Sequence, residues 1–253
     1  MNSGDLTFIR RLPLFRNMTT AHFEEITQGL TEVEATEQTI LIEQGAAADH
    51  LYIVVDGLIE MFAQWGGREC TMGVVRPVET FILAACIRDA PFLMSARALQ
   101  PSRVLLLPAP DLRAIFRRDP EFAVSVIEEL ANDFRRVIRH AKGLKLRDTR
   151  QRIAAYLLDQ SRLAQNADVF QLQVEKRHVA SFLGMTPENL SRGLRALAQT
   201  GVKVKGNTVT IHDRASLVGF VKPDILMDGP DFPGSSSGVG LPGPSHDGAW
   251  PPT

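Results

Sequence analysis

The stretch Lys176-Arg-His-Val-Ala-Ser-Phe-Leu-Gly-Met-Thr-Pro-Glu-Asn-Leu-Ser-Arg-Gly-Leu-Arg-Ala-Leu197 holds two helical periods with one break between them. Val179, Ala180 and Leu183 make an apolar face, and Gly184 ends that helix in a short turn. Thr186-Pro187-Glu188 then supplies a cap, a proline at the first helical position and an acid at the positive end of the helix dipole. Leu190, Leu194 and Leu197 follow at helical spacing, which turns Pro187, Glu188, Ser191, Arg192 and Arg195 outward. The pattern predicts a helix-turn-helix whose second helix offers polar side chains to a major groove. Arg192 can donate two hydrogen bonds to guanine, Glu188 can accept from the amino group of cytosine or adenine, and Ser191 can reach a base edge or a phosphate. The plainer alternative is a helical hairpin with a solvated face.

Charge favours the first reading. Residues 134–222 hold 17 Lys and Arg against 6 Asp and Glu, a net of +11, whereas residues 1–133 net −8 and residues 223–253 net −4. A basic half joined to an acidic half suits a polyanionic partner, most simply double-stranded DNA. Upstream of the motif, residues 150–163 read as an amphipathic helix with Ile153, Tyr156, Leu157 and Leu158 inward. Downstream, residues 202–211 form a hairpin about Gly206-Asn207, where Lys203 and Lys205 would meet phosphates. From Pro223 onward Gly, Pro, Ser and Asp dominate, and residues 223–253 are expected to be a disordered tail.

Further upstream the period changes to two. Short aliphatic segments starting at Thr39, Leu51, Leu58, Cys70 and Arg103 alternate with the turn pairs Gln44-Gly45, Asp56-Gly57 and Gly66-Gly67. They predict a small antiparallel barrel or sandwich over about residues 31–110, preceded by a helix from Thr20 to Leu30. Asp119-Pro120-Glu121 begins a long helix in which Ile127, Leu130, Phe134, Val137, Ala141 and Leu144 recur at spacings of three and four. That seam predicts a homodimer. In the alternative it packs on the chain's own barrel, a task that Phe122, Val126 and Ile138 could serve instead.

Composition bounds the rest. A chain of 253 residues with 44% hydrophobic and 23% charged residues is globular, and its longest apolar run, Phe81 to Ile87, is too short for a bilayer span. With Asp5, Arg10 and Arg11 near the start, no signal peptide is expected, and the protein reads as cytoplasmic. Cys70 and Cys86 are the only cysteines and cannot hold an iron–sulfur cluster by themselves. No nucleophile with a paired base, phosphate loop or metal-spaced set appears, so an enzyme is not expected.

The order of barrel, long helix and winged helix-turn-helix resembles the CRP/FNR superfamily of bacterial transcription regulators over roughly residues 8–221. The resemblance rests on Asp56-Gly57 between two strands, Arg152-Ile-Ala-Ala-Tyr-Leu-Leu, and Glu188-x-x-Ser191-Arg192. It implies an α+β protein with an N-terminal antiparallel β-roll sensor domain of the cyclic-nucleotide-binding kind (1–118), a dimerisation helix (119–146) and a C-terminal winged helix-turn-helix (147–222). Glu-x-x-Ser-Arg looks like the FNR side of the family and implies a TTGAT…ATCAA palindrome. DNA contacts are then expected from Thr186, Pro187, Glu188, Ser191, Arg192, Arg195, Lys203 and Lys205, with RNA polymerase as a partner and transcriptional activation as the output. A regulatory subunit of a kinase or channel is the outside alternative.

The same resemblance bears on the effector. Where cyclic-nucleotide members carry Glu and Arg for ribose and phosphate, this chain has Ala84 and Met94. A phosphodiester buried there would lack a charge partner, so cyclic AMP is not expected. Residues 1–30 contain no cysteine, which removes the iron–sulfur mechanism. An apolar pocket of Phe81, Ile82, Leu83, Ala84, Ala85, Phe92, Leu93 and Met94 with Val137 and Ile138 remains, and residues 80–98 resemble the dissimilatory nitrate respiration regulators, which bind haem and sense nitric oxide. This implies haem as a candidate cofactor, with His22, His50, His140, Met61, Met72 and Met94 as possible axial ligands and nothing to select among them.

Overall fold

The computed structural model describes residues 3–229. Three short helices, α1 (Ser3–Arg10), α2 (Pro13–Arg16) and α3 (Thr20–Gln28), precede eight strands: β1 (Thr31–Ala35), β2 (Ile40–Ile42), β3 (His50–Asp56), β4 (Ile59–Trp65), β5 (Arg68–Val75), β6 (Glu79–Phe81), β7 (Ser95–Ala98) and β8 (Ser102–Pro108). Helix α4 (Leu83–Arg88) lies between β6 and β7. The strands form two antiparallel four-stranded sheets, ordered β1-β8-β3-β6 and β2-β7-β4-β5. Alternation places Leu51, Ile53, Ile59, Leu105 and Leu107 in the core between them. The architecture is the β-roll expected from the sequence, with strands β1, β6 and β7 added to those read there.

After α5 (Ala109–Arg118) the chain runs into α6 (Pro120–Leu146), a helix of 27 residues. Asp119 caps it by accepting from the backbone N–H of Phe122 at 3.0 Å, and its other oxygen lies 2.8 Å from His22 Nδ1. Phe122 and Val126 are buried in the sensor core, but Ile138 is 44% exposed and takes no part there. The expected seam divides. Ile127, Phe134 and Val137 are 60–66% exposed, Ala141 is half-buried, Leu130 packs against the sensor core, and Leu144 touches the Gly184 turn.

A sharp elbow follows. Arg147 is extended, and Asp148 opens α7 (Thr149–Leu163) through a reciprocal capping box with Gln151. Strand β9 (Val169–Gln171), α8 (Lys176–Phe182), α9 (Pro187–Ala196) and a 3-10 turn (Leu197–Thr200) come next. Strands β10 (Val202–Lys205) and β11 (Thr208–Ile211) with β9 make a three-stranded sheet, and α10 (Arg214–Val221) closes the unit. Its core is a second apolar cluster centred on Ile153, Leu157, Leu190, Val209 and Leu217.

The tail departs from expectation at its start. Ile225–Asp228 forms a helical turn, α11, whose Asp228 pairs in two-pronged fashion with Arg147 at 2.5 and 2.7 Å, tying the segment to the elbow. Low apolar periodicity hid it, because the turn is held by one ion pair and caps, not by a buried face. Residues 230–253 lie outside the described residues.

Candidate nucleic-acid interface

Helix α8 ends at Leu183, whose carbonyl accepts from Arg152 of α7 at 2.9 Å, and Gly184 turns the chain at φ +63°. Thr186 then caps α9 by accepting from the Asn189 N–H at 3.3 Å, with Pro187 in the first turn. Leu190, Gly193 and Leu194 are buried against α7. A methyl group at Gly193 would come within 2.2 Å of Ile153 Cδ1, so the buried tip of Ile153 would have to move to admit any side chain there. The burial pattern is the one read from the sequence.

The opposite face is open. Thr186, Pro187, Glu188, Ser191, Arg192 and Arg195 are all exposed, and the last five surround one shallow depression of about 410 Å³. Arg192 donates to Asn189 Oδ1 at 2.6 Å, and Arg195 donates to the Ser191 carbonyl at 3.4 Å, so both guanidinium groups lie along the helix surface. The Glu188 carboxyl is held below its usual range by its own backbone N–H at the helix start, then by the Thr186 hydroxyl, with Arg192 adding attraction. It is therefore an anion and a pure acceptor at neutral pH. Lys203 and Lys205 are exposed on β10, the wing beside this helix. All eight DNA-contact residues expected from the sequence thus lie exposed on one unit: six on the recognition helix with its cap, and two on the wing.

The residues expected to line an effector pocket differ widely in burial. Phe81, Leu83 and Phe92 are core side chains, and Tyr52 closes on Phe81 and Phe92 with ring centroids 5.3 and 6.4 Å away. Ala84 is exposed, Leu93 is 82% exposed, Ile82, Ala85 and Met94 are half-buried, and Val137 and Ile138 are exposed. The helix presents charge to the sensor instead. Arg136 pairs with Asp133 and feels Glu129 and Glu79, while burial raises the Glu79 carboxyl above its usual range.

As packed here these residues leave no slot for a haem, which needs an apolar cleft beside its axial ligand. The possible ligands are dispersed over the sensor and α6. His22 is bonded to Asp119, His50 pairs with Asp49 at 3.0 Å, and His140 stacks on Phe182 at 4.4 Å. Met61 packs on the sensor core, Met72 is 48% exposed, and Met94 is half-buried. The sequence reading needs the apolar side chains of residues 81–85 and 92–94 to point into one void; Phe81, Leu83 and Phe92 fill the core instead.

One polar cluster was not foreseen. Glu60 of β4 is fully buried on the outer face of its sheet, where helix α8 covers it. Its carboxylate accepts from Thr71 Oγ1 at 2.5 Å, Arg97 Nε at 2.8 Å and His178 Nδ1 at 2.8 Å. Burial alone would raise this carboxyl, but the hydrogen bonds from His178, Thr71 and Arg97, with attraction from the His178 ring, hold it below its usual range.

Comparison with known proteins follows the same division. Residues 32–119 match the family model described as cyclic nucleotide-binding domain, and residues 151–220 match the Crp-like helix-turn-helix domain. The cyclic AMP receptor protein of Thermus thermophilus is 30% identical over 176 residues, covering 69% of this chain and 80% of that protein. The chain belongs to the CRP/FNR family. Within that family the nitrogen fixation regulation protein FixK of Azorhizobium caulinodans is 26% identical over 67% of this chain and 71% of its own length. The structure of FixK2 from Bradyrhizobium japonicum shares the fold, with a TM-score of 0.67 and 23% identity over 75% of this chain and 96% of that one. Members of the CRP/FNR family are DNA-binding transcription regulators and not enzymes, and this regulator has their sensor and helix-turn-helix units. No helix among its described residues is long and apolar enough to cross a membrane.

Proposed function

We propose that this regulator is a cytoplasmic homodimer that reads a TTGAT…ATCAA palindrome and works with RNA polymerase. The observation that carries the reading is the single outward face of α9, where Glu188, Ser191 and Arg192 stand exposed at the spacing of the Glu-x-x-Ser-Arg motif. Exposed Ile127, Phe134 and Val137 along α6 support a partner copy, since large apolar side chains in a row on one helix are costly to leave in water. A mobility-shift titration tests it. The palindrome is expected to bind at least about 10³-fold more tightly than a scrambled duplex at the same salt concentration, and equal affinity would overturn the reading.

The effector is neither cyclic AMP nor haem in this proposal. Ala84 and Met94 offer a phosphodiester no charge, and the close-packed Tyr52, Phe81 and Phe92 leave a porphyrin no slot. Saturating cyclic AMP is expected to leave thermal stability unchanged. A ligand at about 100 times its Kd would add about 2.7 kcal/mol to the folded state, so a rise of several degrees in Tm on adding the nucleotide would refute this.

A further inference from the structure

We propose that Glu60 and His178 are positioning residues for DNA recognition, a latch between the sensor sheet and the first helix of the helix-turn-helix that fixes the angle at which each recognition helix meets its half-site. The inference rests on the reading of the protein as a dimer on a palindrome.

The need for a latch follows from the connection. The DNA-binding unit joins α6 through two extended residues, Arg147 and Asp148, and an elbow of that kind permits rotation unless other contacts oppose it. Leu58, Val74 and Leu99 of the sensor supply apolar contact with the second core, but such contact is non-directional and tolerates sliding. The Glu60 cluster is directional. Three strands contribute to it, Glu60 from β4, Thr71 from β5 and Arg97 from β7, and the fourth partner, His178, comes from α8.

The proton positions are fixed by the neighbours. Arg177 Nε donates to His178 Nε2 at 3.2 Å, so the hydrogen of the imidazole sits on Nδ1 and points at Glu60. Arg177 is in turn paired with Glu175 at 2.9 Å, and Arg97 with Glu69 at 2.5 Å. One turn along α8, Ser181 Oγ accepts from the Thr71 N–H at 2.8 Å, which sets a second point and therefore a direction. Turning or sliding α8 while it still covers the sheet would strip a partner from a carboxylate that stays buried, and such a group is costly to leave unmet. The docked arrangement is thus separated from its alternatives by a threshold.

Orientation matters to a dimer more than to a half-site. Two recognition helices must reach major grooves about one helical turn apart at once, so loosening each unit lowers affinity for the pair and not for a lone half-site. The test uses the full chain as wild type, Glu60→Gln, His178→Gln and the double variant. Each is titrated with the palindrome, with the palindrome lengthened by one base pair at its centre, and with a single half-site; each is also melted without DNA. Either single variant is expected to lose about tenfold on the palindrome, to keep its half-site affinity and to discriminate less against the lengthened site. The double variant should lose no more than the singles. Without DNA, the one melting transition of the wild type should separate into two. Additive losses, equal losses on palindrome and half-site, or unchanged binding would overturn the latch. If the wild type itself shows no preference for the palindrome, the dimer reading fails, and a single transition in both variants then overturns the latch on its own. Should Glu60→Gln not fold, His178→Gln carries the same comparison.

Discussion

Phe134→Glu is expected to sediment as a monomer, to fold normally, and to lose about 10²–10⁴-fold of affinity for the palindrome. Phe134 is 66% exposed on α6, so a charge there disturbs little within one chain. In the proposed dimer this position would lie on the shared seam, and burying a carboxylate from each copy there costs more than a ring contact supplies. Leu130 is the wrong place for this test, since it packs against the sensor core and a charge would act on the fold. Sedimentation equilibrium reads the outcome. An unchanged dimer would show that Ile127, Phe134 and Val137 are not the interface.

Arg192→Ala is expected to cost about 1–3 kcal/mol of discrimination at one guanine of each half-site, roughly 5- to 150-fold, while leaving affinity for random duplex nearly intact. The guanidinium is already laid along α9 by its bond to Asn189, so little freedom remains to be lost on binding. Lys203→Ala or Lys205→Ala provides the contrast. Each should weaken specific and random duplex alike and reduce the slope of log affinity against log salt by about 0.9 for each phosphate no longer neutralised. Equal loss on specific and random DNA for Arg192→Ala would remove its base-reading role.

The parts of this molecule that follow from local order were legible in the chain. Capping at Asp119 and Thr186, the break at Gly184 and the inward leucines of α9 depend on residues within one or two turns of each other. Strands β1, β6, β7 and β9 were not legible: β1 alternates polar and small residues, and β6, β7 and β9 have three or four residues without the aliphatic run that marked β2 or the Gly-Asn turn that marked β10 and β11. Helix α4 hid inside an apolar run where Ile82 takes a positive φ of 72°, a conformation that no local pattern announces. The seam was half legible: spacing picked out the α6 residues, but only three dimensions separate Leu130, which faces the roll, from Phe134, which does not. Glu60 was wholly hidden. A glutamate in a strand reads as solvent-facing, and the partners that bury it stand 11, 37 and 118 residues away.

The contact at Gly193 bears on how such a protein changes its targets. Because α9 rests on Ile153 through a bare backbone, the helix is seated by one set of residues and reads DNA with another. Glu188, Ser191 and Arg192 can therefore be exchanged without repacking anything beneath them. A lineage carrying this scaffold is free to acquire new operators by drift at three surface codons, and an engineer could retarget it the same way.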